Sequence, residues 1–375
     1  MRIRIKPLNM LMEEIFNKAG CYKNESRKIA KYLIEGNLTG HDSHGVSRTS
    51  RYIAGLKNGT IKANVKPIIE VDKFNYCVVD GDGGFGQIVG PFACNIGIKK
   101  AKKYGNSFIS IKNSFHLGRI GDFAEMAAEK NIISIHFVNS SGLGILVAPF
   151  GSYQQRFSTN PFAAGVPIKN KKPFILDFAT SYVSEGKIYV ANQGGKPLPP
   201  GSLVDGKGKN SSDPYVIYGT RDPVPLKRTG KGAIKTMGDH KGSGLAFLCE
   251  LLAGALTGSG MTKEGQKAFR NGMFSIYINP SSFINSKYYE KEISQYIKFF
   301  KSAAPIDKNN KVLIPGEPEN KNRKDRIKNG IPLTDITWKV IKNIAEELSV
   351  NAKLIQNCQK QTHSTLNHFF KTSTN

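Results

Sequence analysis

A strand-like run at Tyr76–Asp80 passes directly into Gly81-Asp82-Gly83-Gly84-Phe85-Gly86, and a helical stretch follows from about Val89 to Tyr104. Strand, glycine turn and helix in immediate succession restrict the chain to folds in which helices cover a sheet. Ser107–Ile111 and Ile132–Val138 continue the pattern as β-rich runs around a helix from Ile120 to Lys130, and Ile68–Val71, Phe174–Leu176 and Met273–Ile278 also read as strands. An α/β fold class follows. The glycine run matches the dinucleotide fingerprint Gly-x-Gly-x-x-Gly in form. That fingerprint wants an acid about 20 residues further on for the ribose, and no Asp or Glu occurs from Gly84 through Gly121. The run therefore reads as a tight structural turn. Lys99, Lys100, Lys102 and Lys103 keep open the alternative of a cradle that meets a 2′-phosphate.

The two ends of the chain are helical. Leu11, Ile15 and Ala19, then Ile29 and Leu33, recur at helical spacing and predict two helices between Leu8 and Leu38. A third spans Ser47 to Leu56 and stops at Asn58-Gly59, and later helices fall near Tyr288–Ser302 and Asp335–Leu348. Lys241–Thr257 is the strongest helical stretch between them. Gly194–Ser212, dense in Gly, Pro, Lys and Ser, predicts a mobile loop. Beyond about Asn351 only Phe369-Phe370 stands out, so the tail 351–375 is expected to be poorly ordered.

Composition narrows the function classes. At 375 residues, 39% apolar and 22% charged, the chain is an ordinary globular protein with room for two or three domains. None of Cys21, Cys77, Cys94, Cys249 and Cys358 forms a CxxC pair, which disfavours a disulfide framework and a cysteine zinc site and fits a reducing cytoplasm. No His/Asp/Glu cluster has a recognised ligand spacing, so no metal is expected. The basic N-terminus lacks the apolar stretch and cleavage site of a signal peptide. The most apolar segment, Gly244–Gly258, is interrupted by Glu250 and reads as a buried helix rather than a membrane span. The formal charge of +25 invites a nucleic-acid partner, but the 54 Lys and Arg are spread along the chain and no RNA- or DNA-binding module signature accompanies them. The charge would still attract anionic substrates and nucleotides.

Four segments carry candidate chemistry. In Gly40-His41-Asp42-Ser43-His44-Gly45-Val46-Ser47-Arg48, a helix would put His44 and Arg48 on one face, where an imidazole that transfers protons and a guanidinium that grips carboxylates meet one small anion. The bland alternative is a capped helix start with a surface ion pair. Asn113-Ser114-Phe115-His116-Leu117-Gly118-Arg119 places a second histidine where a strand turns into a helix, and Gly118 permits close backbone approach. Ser158-Thr159-Asn160-Pro161 offers hydroxyl and amide groups in a turn. Asp239-His240-Lys241-Gly242-Ser243-Gly244 opens the strongest helix with backbone donors and a lysine suited to an anion, without the P-loop pattern and without a GxSxG nucleophile elbow. His136 alternates with Ile135 and Phe137 in a strand and reads as structural.

Taken together, seven segments in order resemble the type II malate/L-lactate dehydrogenase family, which includes sulfolactate, ureidoglycolate and diketogulonate oxidoreductases. They are HDSHGVSR at 41–48, DGDGGFGQ at 80–87, NSFHLGRIGDFAEMAAE at 113–129, STNPFAAGVP at 158–167, DFATSYVSEGKIYVA at 177–191, HKGSGLAFLCELLAGALTG at 240–258 and GEPENKNRKDRIKNGIPLTDITW at 316–338. The resemblance covers about residues 5 to 345. It implies a non-Rossmann fold: a large mixed β-sheet domain (73–284) plus a helical domain formed from both chain ends (1–72 with 285–350). It implies hydride transfer between NAD or NADP and a small anionic 2-hydroxy or 2-keto acid, in a homodimer.

By position, His44 matches the proton donor of some members and His116 the proton acceptor of others. Ser43 and Arg48 flank the substrate, Arg48 as carboxylate clamp. Ser140, the Asp177-Phe178-Ala179 segment, Lys241 and the Gly316-Glu317-Pro318 turn match nicotinamide-nucleotide contacts, with Thr159 and Asn160 beside them. The alternative is a basic nucleotide- or nucleic-acid-binding protein on an inactive dehydrogenase scaffold. Which acid is used, which coenzyme, and which histidine gives the proton stay open at the level of sequence.

Overall fold

A computed structural model of the chain describes residues 1–359 except 143, 224, 226, 267 and 268. Two compact units emerge: Met1–Lys57 with the chain from Glu319 on, and Asn58–Pro318. The sequence-based bounds at 72/73 and 284/285 differ from these, and the residues from 58 to 72 and from 285 to 318 lie in the second unit.

The first unit joins β1 (Arg2–Ile3) antiparallel to β12 (Ile331–Pro332) and packs α1 (Ile5–Lys18), α2 (Lys23–Leu38), α3 (Thr49–Lys57), α11 (Asp335–Glu347) and α12 (Ala352–Gln359). Leu8, Leu11, Met12 and Ile15 on α1 and Ile29 and Leu33 on α2 are fully buried, as their spacing predicts. The helix α12 falls where the sequence shows no pattern. Two apolar side chains, Ile355 and Cys358, suffice to bury one face of it, and it packs on α1. The rest of the expected tail, Phe369-Phe370 included, lies outside the described residues. A further helix, α10 (Glu317–Asn329), has no apolar stripe and no buried residue. It is held by polar contacts instead, such as Arg323 Nη2 donating to Glu35 Oε2 on α2 at 3.1 Å.

The second unit is built on a seven-stranded mixed sheet. Its strands are β2 (Ile68–Asp72), β3 (Tyr76–Asp80), β4 (Asn106–Ser114), β5 (Ile133–Ser141), β6 (Pro161–Val166), β7 (Phe174–Ala179) and β11 (Arg270–Ile278), in the spatial order β2-β3-β4-β11-β5-β6-β7. Only β3 and β4 run parallel, and α4 (Gly86–Tyr104) makes their crossover; α5 (Gly121–Ala128) links β4 to β5. β11 arrives from far along the chain and slots antiparallel between β4 and β5. The core beneath the sheet collects Val79, Val89, Ile98, Ile109, Ile111, Phe123, Val138, Met273 and Tyr277.

The segment expected to be a mobile loop carries β8 (Leu203–Val204) and β9 (Asn210–Ser211), which with β10 (Ala233–Ile234) form a small second sheet. Leu203 is fully buried, in one cluster with Ile188 of α6 (Glu185–Asn192) and Ile217 of α7 (Tyr215–Tyr218). A two-residue strand is too short to leave a period-2 signal. The helix α8 (His240–Cys249) runs on as a π-helical turn over Glu250–Ala255, and α9 (Ser286–Lys301) follows β11. Among the described residues, no helix is long and apolar enough to cross a membrane.

His136 sits at the centre of this sheet, fully buried opposite Ser275 of β11. Its Nδ1 lies 2.8 Å from Ser275 Oγ and its Nε2 3.0 Å from Ser134 Oγ, partners for a neutral ring. Burial pushes its pKa down from 6.5 to about 3. A depressed histidine pKa means that the unfolded chain takes up a proton below 6.5 that the folded chain does not. His136 thus costs no stability above pH 7 and withdraws stability as pH falls, by about 2 kcal/mol between pH 7.5 and 5. Urea denaturation at the two pH values checks this: His136→Asn is less stable at pH 7.5 but loses less on acidification, and an identical loss in both proteins removes His136 as the cause.

Candidate functional site

In the first unit the His44 segment leaves α2 as two single 3₁₀ turns, Asp42–His44 and Val46–Arg48, separated by Gly45 in an extended conformation. His44 and Arg48 therefore do not share the α-helical face that their spacing suggests. The cause is close packing on α2. A Cβ on Gly36 would stand 2.8 Å from His44 O, and one on Gly45 would stand 2.3 Å from Asn37 Oδ1. Asn37 accepts from Val46 N at 2.8 Å and donates to Asp42 Oδ1 at 2.6 Å. Arg326 of α10 grips Asp42 with both terminal nitrogens, at 2.5 and 3.0 Å. Ser43 contributes its carbonyl, which accepts from Arg48 Nε, and Ser47 Oγ donates to Asp42 O at 2.8 Å. Asn37, Asp42 and Arg326 carry this turn, and sequence reasoning had singled out none of them; their pairing joins residues nearly three hundred positions apart.

In the second unit the candidate residues gather mostly at one end of the sheet. The C-terminal ends of β4, β5 and β7 and the N-terminal ends of β6 and β11 meet there, because the strands between β4 and β7 pair antiparallel in register: Asn271 with Ser114 and Ser140, and Pro161 with Ala179. The glycine run lies at the same end. Gly81 N donates to Lys112 O, Gly83 N to Asn113 O, and Phe115 N to Gly84 O, so the run lies along the chain that leads to His116. At Gly86 a Cβ would stand 2.3 Å from both His116 O and Leu117 Cα. The run is therefore the seat of the His116 loop, in accord with its reading as a structural turn. His116 is half-buried, with its ring 6.3 Å from that of Phe269.

Ser140 is buried at the end of β5, where its backbone N–H points to Asn160 Oδ1 at 3.4 Å. Asn160 is fully buried and spends its amide on the protein, donating to Ala246 O of α8 at 3.2 Å and to Glu250 Oε1 at 2.9 Å. The carbonyl of Thr159 accepts from Thr180 N and Thr180 Oγ1. Phe178 stacks at a tilt on Phe162, ring centroids 5.6 Å apart, and Ala179 ends β7. Lys241 is exposed in the first turn of α8, and Gly242 N donates to Met237 O so that this turn packs on Thr180.

Asp177 is already engaged: its Oδ2 accepts from Gly121 N at 2.9 Å and lies 3.7 Å from Arg119 Nε. Burial acts to lower the Arg119 pKa, but Asp122, Glu125 and Asp177 outweigh it and hold the guanidinium firmly charged. The Gly316-Glu317-Pro318 turn stands apart from this group. Gly316, at φ +95°, packs on Pro173 and Ile175 at the opposite end of β7 from Ala179. Burial favours the neutral acid at Glu317, yet Lys301, donating at 2.6 Å, prevails and holds its carboxyl below the ordinary range. Among the described residues, no group of three His, Cys, Asp or Glu side chains could hold a metal ion.

Comparison with known proteins sets this arrangement in a family. The family model described as Malate/L-lactate dehydrogenase matches residues 3–342. The chain is 34% identical to hydroxycarboxylate dehydrogenase B of Escherichia coli, over 95% of this chain and 96% of that protein. It is 32% identical to L-sulfolactate dehydrogenase of Methanocaldococcus jannaschii, over 92% and 98%. The solved structure of malate dehydrogenase from Pyrococcus horikoshii superposes with a TM-score of 0.82 at 29% identity, covering 94% of this chain and 96% of that one. The chain belongs to the malate/L-lactate dehydrogenase family, and its relatives are oxidoreductases named for hydroxy acids.

Two glycines test how tightly this end of the sheet is built. Gly86→Ala forces backbone apart under His116 and is expected to cost about 1–3 kcal/mol. Gly244→Ala on α8 meets nothing within 4 Å and is expected to gain about 0.5–1 kcal/mol through helix propensity. Urea midpoints of the two variants check the pair, and an Ala at position 86 tolerated as well as one at 244 would contradict the packing described.

Proposed function

We propose that this member of the malate/L-lactate dehydrogenase family transfers a hydride between NAD or NADP and a small 2-hydroxy or 2-keto acid of malate or lactate type. The observation that carries the reading is the convergence of the His116 loop, Ser140, the Thr159–Asn160 turn, Ala179 and the first turn of α8 at one end of a single sheet. The polar groups there suit an anionic dinucleotide. Lys241 is exposed at the N-terminus of α8, the positive end of a helix dipole, where the N–H groups of Lys241, Gly242 and Ser243 are already donated to the carbonyls of Gly238, Met237 and Asp239. The charge of Asp177 is balanced by Arg119.

When bound, the coenzyme supplies or accepts the hydride. The chain supplies the rest. Reduction of a keto acid puts negative charge on the carbonyl oxygen, and a histidine close to its working pH quenches it with a proton. We assign this to His44 or His116. Arg48 holds the substrate carboxylate, an orientation role in which a planar two-pronged donor exceeds a lysine, and the Ser43 carbonyl orients its guanidinium. A homodimer is part of the reading: Phe247, Leu248, Leu251 and Leu256 leave apolar surface exposed along α8 and its π-helical continuation, an area a second copy would cover.

The decisive assay follows coenzyme absorbance with NADH and NADPH against pyruvate, oxaloacetate, sulfopyruvate and 2,3-diketogulonate, with ureidoglycolate in the oxidative direction. Turnover of one acid names substrate and coenzyme together; silence with no coenzyme binding, joined to salt-sensitive affinity for DNA or RNA, favours the non-enzymatic alternative. With the substrate known, His44→Ala is expected to lower kcat by about 100-fold or more while coenzyme affinity stays within about threefold. Arg48→Ala is expected to raise substrate KM about 10- to 100-fold. Wild-type constants in either variant remove that residue from its role. Sedimentation equilibrium is expected to give twice the chain mass, and a monomer at micromolar concentration removes the dimer from the reading.

A further inference from the structure

β4 carries one extra residue against β11: Asn271 pairs with Ser114 and Met273 with Ile111, so Lys112 and Asn113 both stand opposite Gly272. Gly272, opposite this bulge, has no space for a side chain, since a Cβ would stand 1.9 Å from Ala253 O and 2.7 Å from Ser259 Cβ. Close backbone contact thus holds Gly272 in place, and with it the side chain of the residue before it. That side chain is Asn271, buried at 3% exposure. Its Oδ1 accepts from Leu117 N, the residue after His116, at 3.0 Å. Its Nδ2 donates to Ser140 Oγ at 2.7 Å and to Asn139 O at 2.9 Å. An N–H faces the oxygen and a carbonyl faces the nitrogen, so chemistry allows one orientation of the amide.

We propose that Asn271 is a positioning residue whose one buried amide sets both the His116 loop and the Ser140 hydroxyl. By donating to Ser140 Oγ it makes that oxygen an acceptor, and the serine's own proton is then directed to a ligand acceptor. By accepting from Leu117 N it fixes the backbone that carries His116. The amide is itself backed by the protein. Asn139 accepts from Gly272 N at 3.1 Å and donates to Gly260 O at 2.9 Å, and it reaches the buried Glu250 at 3.3 Å. Glu250 also takes Asn160 Nδ2 and Thr262 Oγ1. A network in which every member is engaged is stiff, which suits a part that holds two functional side chains in mutual register.

The inference rests on the reading of His116 and Ser140 given above, and its test separates the two. In the intact protein, Asn271→Ala is expected to raise coenzyme KM about tenfold, the worth of the one hydrogen bond to the ligand that an undirected Ser140 hydroxyl no longer makes. Ser140→Ala is expected to do much the same, and the double variant to add little to either, since both remove one interaction. Asn271→Asp keeps the shape but turns the donor into an acceptor, so the serine proton is drawn inward. The coenzyme KM again rises, and the added negative charge moves the His116 limb of the kcat–pH profile to higher pH. Neither the non-additivity nor that pH movement follows from loss of stability alone.

Where Ser140→Ala and Asn271→Ala each raise KM and their effects multiply in full, with the pH profile unmoved in Asn271→Asp, the coupling is overturned while the site reading stands. Wild-type constants in both Ser140→Ala and His116→Ala overturn the reading and the inference together. Should Asn271→Ala fail to fold, Asn271→Ser, which keeps a shorter donor and acceptor, takes its place in the cycle.

Discussion

The two-sided backbone ladder of β11 is the constraint on which the sheet unit depends. A strand from residue 270 pairs along its length with β4 and β5, and every cross-strand relation in the centre of the sheet follows from that register. It sets Ser275 opposite His136, puts Tyr277 beneath α4, and brings Asn271 level with Ser114 and Ser140. A slip of one residue would turn each of these side chains to the other face. Closing so long a loop costs conformational entropy before any ladder bond repays it, so such pairing belongs to the slow part of folding.

Close backbone approach is the second theme. Three positions in the sheet unit leave no room for a side chain. Gly86 lies under the His116 carbonyl, Gly97 under the Tyr277 ring, and Gly272 against the carbonyl of Ala253. Each brings a helix or loop nearer the sheet than a side chain would allow. The glycine run after β3 is the bed on which a histidine-bearing loop rests.

The His44 turn achieves a similar end with charge. Arg326 and Asp42 make a two-pronged pair, and Asp42 remains partly exposed, so the pair adds modestly to stability. Its effect is geometric, because it pins the two 3₁₀ turns to α10 in one conformation. Burial and pairing act likewise at Arg119, where three carboxylates surround one guanidinium between α5 and β7.

The α/β alternation from Ile68 to Val138 was legible because strands and helices there have strong periods, and α1 and α2 announce themselves through Leu11, Ile15, Ile29 and Leu33. The structural role of the glycine run was legible from the missing acid. The His44 and His116 segments were visible as motifs, since they are short and local. What local pattern cannot carry was missed or misplaced. The helix α10 has no apolar stripe, and α12 only two buried side chains. The strands β8 and β9 are two residues each, and the helical face expected for His44 and Arg48 gave way to two 3₁₀ turns held by close packing on Gly36 and by the hydrogen bonds of Asn37 and Arg326. Asn271 sits in no motif, and its partners Leu117, Asn139 and Ser140 meet it only through strand register. Sequence by itself determined which segments are helix or strand and which residue types could do chemistry, because those properties depend on neighbours a few positions away. Tertiary structure alone decided which of them meet, because register, bulge and ion pair bind residues that are hundreds of positions apart.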